Sequence, residues 1–179
     1  PFYREALKAG LRPILGAELY LEAPKGESPY HLLLLAEDNV GYHNLLQLVT
    51  KGHLEGFHKK PIIKKQWLAA HSQGLVALSG CLQGEIPRLI LAAEEGRTTP
   101  EEALRATGEM KEIFGRDRFY LELQYHGLPE EKKVNRRLLS LSRKLSLSYA
   151  ATNDTHYLKR NQASAHDLLL AVQALSSLK

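Results

Sequence analysis

Five side chains of metal-binding type stand out in this sequence, each in or beside a short apolar segment. Glu18 lies inside the run from Ile14 to Leu21, His31 opens Tyr30-His31-Leu32-Leu33, Cys81 follows Ser79-Gly80, and Asp154 and His156 stand two apart in Asn153-Asp154-Thr155-His156. Thiolate, imidazole and carboxylate together form a donor set for a divalent ion, zinc before magnesium. An acidic residue within an apolar run is costly to bury alone, and a cation shared by several such groups offsets that cost. Asp-x-His on an extended backbone turns both side chains to the same side, as two ligands of one cluster require. Each residue also has an ordinary reading: a lone Glu or His near a strand is usually a satisfied polar group, and a single cysteine is usually core. On residue types alone, metal binding and ordinary packing stay open as alternatives.

The elements that must position these residues can be read from periodicity. Residues 1 to 9 read as the tail of an amphipathic helix that begins before Pro1 and is stopped by Gly10 in the left-handed region. Pro13 to Leu21, Tyr30 to Ala36, Leu75 to Ser79, Phe119 to Gln124 and Tyr149 to Thr152 are short apolar segments bounded by Gly, Pro or polar residues, and read as five strands of the buried parallel kind. Helices are expected from Asn39 to about Leu54, around Gln66 to His71, from Glu85 to Glu94, from Thr99 to Phe114, from Pro129 to Leu147, and around Ala165 to Val172. At Thr99-Pro100-Glu101-Glu102 the threonine hydroxyl is expected to cap the helix, with Glu102 reaching back. Strands alternating with helices predict an α/β fold built on right-handed crossovers, with polar functional groups at the carboxyl ends of the strands.

Composition bounds this reading without sharpening it. The chain has 179 residues, 44% hydrophobic and 25% charged, the proportions of an ordinary globular domain, so one core is expected. A single cysteine excludes an internal disulfide. Apolar runs such as Leu32 to Ala36 and Leu168 to Val172 fall far short of the roughly 18 residues of a membrane span, so no membrane partner and a cytoplasmic location are expected. A net charge of +4 tilts weakly toward a polyanionic partner. Lys59, Lys60, Lys64 and Lys65, followed by Trp67, could track phosphates beside a stacking ring, but they read more simply as a solvated loop and helix start. His43, His53, His58 and His71 read as exposed, His166 as a surface or packing residue, and His126 as a strand-end histidine within reach of a substrate.

The segments GLRPILGAELYL (from Gly10), YHLLLLAEDNVGYHNLLQLV, LEGFHKKPII, GLVALSGCLQGEIP, FYLELQYHGLPEEKKVN and ATNDTHYLKRNQASAHDLLLAVQ are similar, in order and spacing, to the polymerase-and-histidinol-phosphatase (PHP) domain in the branch carried by bacterial DNA polymerase III alpha subunits. The combination of SGC with EIP, HGLPE and ND-x-HY marks that branch rather than the histidinol phosphatases. The resemblance implies an incomplete PHP-type distorted (β/α) barrel over residues 1–179, with an initial His-x-His strand and a following Asp-His segment lying upstream. It implies that Glu18 bridges two metals of a three-metal cluster, that His31 and Cys81 complete the second site, that Asp154 serves the first and that His156 serves the third. With the upstream ligands absent, at most one well-held ion, zinc by its donors, is expected at Glu18, His31 and Cys81.

Two functions follow from the resemblance and stay open. In one, the intact parent, a DNA-directed DNA polymerase, carries in this domain a metal-dependent 3′ to 5′ exonuclease. In the other, the domain is a non-catalytic brace and docking module. A phosphatase acting on a small phosphate ester is a further alternative. The implied partners are DNA, the remainder of the alpha subunit, and the proofreading and clamp subunits of the replisome. The chain alone is expected to lack catalysis, and to self-associate through an exposed edge of the strand at residues 13 to 21.

Overall fold

The computed structural model describes residues 1–174. Alternating burial builds its sheet. Strands β1 (Gly16–Leu21) and β2 (Tyr30–Ala36) form an antiparallel hairpin, with Gly16 opposite Leu35 and Leu21 opposite Tyr30. In β2 the buried residues are Tyr30, Leu32 and Leu34, so every second side chain faces the core. A short hairpin of β3 (Phe57–His58) and β4 (Lys60–Ile63) joins the sheet beside β1, followed by β5 (Leu75–Leu78), β6 (Phe119–Leu123) and β7 (Tyr149–Ala151). The order across the sheet is β3-β4-β1-β2-β5-β6-β7, and the sheet is open.

The α/β class is as expected, but the strand directions need one correction. Strands β4, β5, β6 and β7 run with β1, whereas β2 is antiparallel to both of its neighbours. The expected set of parallel strands included the β2 segment and left out β4. The connection between β1 and β2, residues 22–29, is shorter than the dozen or so residues that a parallel crossover needs, so reversal was required. Strands β3 and β4 escaped expectation because they are very short and Lys-rich, and Ile63 alone among their residues is buried.

Strands β1, β2, β4, β5 and β6 turn one face to a layer of helices. Leu45 and Leu48 of α2 (Asn39–Leu54), Ile86 and Ile90 of α4 (Glu85–Glu94), Met110 and Phe114 of α5 (Pro100–Phe114), and Val134 and Leu138 of α6 (Pro129–Leu145) pack with Leu21, Leu32, Leu34, Ala77, Phe119 and Leu121 in one core. The opposite face carries Glu18, Tyr20, His31, Leu33, Leu35, Val76 and Tyr120, none of them fully buried. Helix α1 (Phe2–Lys8) ends at Gly10, whose φ of +71 makes the expected left-handed stop. Helix α3 (Lys65–Ala70) is short, and α7 (Ala163–Ala174) closes the described part. Thr99 does precede α5 with Pro100 in the first turn, but its hydroxyl accepts no capping bond, and Glu102 turns to Arg105 instead. No helix among the described residues is long and apolar enough to cross a membrane.

Candidate functional site

The reversal of β2 explains why His31, which opens its strand, meets residues that close theirs. The start of β2 lies at the same end of the sheet as the ends of β1 and β5. Glu18 is opposite Leu33, two positions along from His31 on the same face, so the two side chains form a diagonal cross-strand pair. His31 Nδ1 lies 3.1 Å from Glu18 Oε1. Cys81 Sγ lies 3.8 Å from the same nitrogen.

The turn that carries Cys81 is held against His31 by backbone. The His31 amide donates to the Gln83 carbonyl at 3.0 Å. Gly80 has φ +83, and a Cβ there would sit 2.7 Å from the His31 carbonyl oxygen; at Gly84 one would sit 2.1 Å from the Ser79 carbonyl. Both glycines are therefore needed for the chain to wrap this closely. Behind the turn lies Glu122, a buried carboxylate that accepts from the Gly80 amide at 3.1 Å, from Gln124 Nε2 at 2.9 Å and from the Thr152 hydroxyl, while its own amide donates to Ser79 Oγ at 2.9 Å. Glu122 ties together the ends of β5, β6 and β7. It is another acid in an apolar strand, Phe-Tyr-Leu-Glu-Leu, and the argument that singled out Glu18 would have found it.

Electrostatics follows from these contacts. The Cys81 sulfur and the nearer Glu18 carboxylate push the His31 imidazole up to about 10. The hydrogen bond from His31 holds the Glu18 carboxyl below the usual range against the opposing effect of burial, with His156 and Lys60 adding positive charge. The charged form of His31 is thereby favoured, and Glu18 and Cys81 both face its Nδ1.

Asp154 and His156 form the other half of the site. His156 Nδ1 donates to the Asp154 carbonyl at 2.7 Å and lies 3.8 Å from Asp154 Oδ1. The expectation that an extended backbone would align the two side chains is corrected: Asp154 has φ +45, so the pair meets across a turn. His166, on α7, lies 5.4 Å from the His156 ring and 5.5 Å from that of Tyr157, a packing role as expected. His126 does more than the sequence indicated. Its Nδ1 donates to Glu131 Oε1 at 2.6 Å and its Nε2 to the Asn153 carbonyl at 2.9 Å, bracing the turn that carries Asp154 and His156.

The five predicted residues thus fall into two groups, Glu18 with His31 and Cys81, and Asp154 with His156, with His156 near enough for its charge to lower Glu18. Among the described residues no set of three or more His, Cys, Asp or Glu side chains is arranged to hold a metal ion. Glu18 and Cys81 both face one His31 nitrogen, so the trio closes on itself. The Lys cluster also divides. Lys51 and Lys64 flank the Trp67 ring, Lys60 lies over Tyr20, and Lys65, expected to be solvated, pairs with Glu85 at 2.6 Å and Glu109 at 2.7 Å. That last pairing joins α3 to α4 and α5, and one oxygen of Glu85 is left buried without a partner.

Comparison with known proteins gives these features a setting. The DNA polymerase III subunit alpha of Thermus aquaticus is 46% identical over 99% of this chain, that of Borreliella burgdorferi 42% over 96%, and that of Deinococcus radiodurans 38% over 99%. The chain spans about 15% of the length of these relatives. Residues 1–126, which include Glu18, His31, Cys81 and the sheet from β1 to β6, match the PHP domain family, and the chain belongs to that family.

Proposed function

We propose that the chain is part of the PHP domain of a replicative DNA polymerase alpha subunit, and that Glu18, His31 and Cys81 hold one divalent metal in support of phosphodiester hydrolysis in the 3′ to 5′ direction. The observation that carries this reading is the meeting of a carboxylate, an imidazole and a thiol at separations of 3.1 and 3.8 Å, in a chain so similar to those subunits. A carboxylate, an imidazole and a thiol are donor types that zinc takes. Such an ion, when bound, supplies Lewis-acid polarisation of a phosphate oxygen and an activated water. The protein's own part is preparatory. Burial notwithstanding, Glu18 favours its ionised form, His31 would bind through Nδ1 once its proton had passed to solvent, and Glu122 and the two glycines fix the turn that presents Cys81. Asp154 and His156, braced by His126, stand beside them as further ligands in an intact domain.

Nucleotidyl transfer is assigned to the remainder of the alpha subunit. DNA, that remainder, and the proofreading and clamp subunits of a cytoplasmic replisome are the proposed partners. The closure of Glu18, His31 and Cys81 on one another favours a second reading, a bracing and docking module without chemistry. Zinc titration of the metal-free chain separates the two: uptake of one equivalent, reduced at least about tenfold in affinity by Cys81→Ser, supports the metal reading, whereas no uptake, or uptake of three ions, sinks it. The proposed self-association rests on less edge than the sequence indicated, because β4 covers Tyr20 and Leu21 and leaves residues 16–19 unpaired on that side. A monomer in sedimentation at high concentration overturns it.

A further inference from the structure

The geometry points to Lys60 as the anion contact of this site, the residue that holds a non-reacting phosphate oxygen of the ligand; the inference rests on the proposal that the site handles phosphate esters.

The placement is set by β4. Its registered pairs with β1 are Tyr20 with Ile62 and Leu21 with Ile63. Ile63 is buried in the core, so Ile62 and, two residues earlier, Lys60 belong to the opposite face, the one that carries Glu18, Tyr20 and His31. Lys59, with φ +62, makes the one-residue turn that sends the chain back along β1. Lys60 Nζ then lies 4.2 Å from the centre of the Tyr20 ring, and the edge of that ring meets His31 with centroids 5.3 Å apart. Tyr20 is thus a shared neighbour of the Lys60 cation and of His31.

Charge argues in the same direction. Among the described residues Lys60 forms no ion pair, although its charge reaches Glu18, which is already engaged by His31. Two other lysines of the stretch have an occupation elsewhere: Lys64 sits over Trp67, and Lys65 is held by Glu85 and Glu109. Resting on an aromatic face holds the lysine stem in place while the ammonium stays accessible. An exposed cation one aromatic ring away from an imidazole fits a tetrahedral oxyanion.

The test uses the full chain with inorganic phosphate as probe, followed by NMR. Phosphate is expected to shift the resonances of Lys60, Tyr20 and His31. Lys60→Met, which keeps the stem on the ring but removes the charge, should weaken phosphate binding at least about fivefold, and Lys60→Arg should keep it within about twofold. Both variants should melt with the parent and take up zinc as it does. Unchanged phosphate binding in Lys60→Met, or phosphate shifts centred on Lys64 and Trp67, overturns the inference. Zinc uptake reports separately: its loss with phosphate binding at Lys60 intact rejects the metal reading alone, and its retention with phosphate indifferent to Lys60 rejects this inference alone.

Discussion

His126 joins two turns through two donated hydrogen bonds, one to the Glu131 carboxylate and one to the Asn153 carbonyl, and can make both only as an imidazolium. The Asn153 carbonyl and the Glu131 carboxylate accordingly raise it above its ordinary value of 6.5. A histidine raised in the folded state adds stability that is fully present below the unfolded value and is lost as pH rises through the folded one. Amide exchange at Asp154, Thr155 and His156 is therefore expected to speed up on the alkaline side of the His126 titration, and His126→Phe should show the fast exchange at every pH. Exchange that ignores both pH and the substitution would mean that the turn holds itself. At this scale residue type singled out Glu18, His31 and Cys81, and the fold places Glu18 and Cys81 at 3.1 and 3.8 Å from one His31 nitrogen. It was silent on Glu131, because an ordinary carboxylate at a helix start becomes structural only when the fold turns backbone amides toward it.

Among the elements, helix α2 shows how a local signal and a tertiary one combine. Asp38 caps it, accepting from the Gly41 amide at 2.7 Å. A Cβ on Gly41 would lie 1.7 Å from the Gly74 carbonyl oxygen, so the helix start is pressed against the turn before β5. Asp38→Ala is expected to cost about 1 kcal/mol by urea denaturation. Gly41→Ala, which no side-chain rotation relieves, should cost about 1 to 3 kcal/mol despite alanine's better helix propensity. A Gly41→Ala protein as stable as the parent would show that the turn can yield. Most helix spans were readable from apolar periodicity. The direction of β2 was also readable, had the short connection at residues 22–29 been weighed against the continuous apolar run. Strands β3 and β4 were not, since pairing of so few residues rests on the neighbouring strand and not on their own composition.

Across the whole molecule the sheet has two unlike faces. Leu34 is completely buried under the helices, whereas Leu33, one residue before it, is only half-buried on the face that carries the candidate site. Leu34→Ala should therefore cost about 2 to 5 kcal/mol, and Leu33→Ala clearly less, as compared by thermal and urea unfolding; equal costs would mean that the second face is covered in solution. Residue types, short-range spacing and family wording were enough for the α/β class, the helix layer, and the carboxylate, imidazole and thiol that form the candidate site, because periodicity and donor chemistry are local properties of the chain. The pairing of β3 and β4, the division of the five residues into two groups, the brace at His126 and the place of Lys60 over Tyr20 depended on which segments become neighbours. Those contacts join residues tens of positions apart, and the competition among pairings that selects them is settled only when the chain closes on its core.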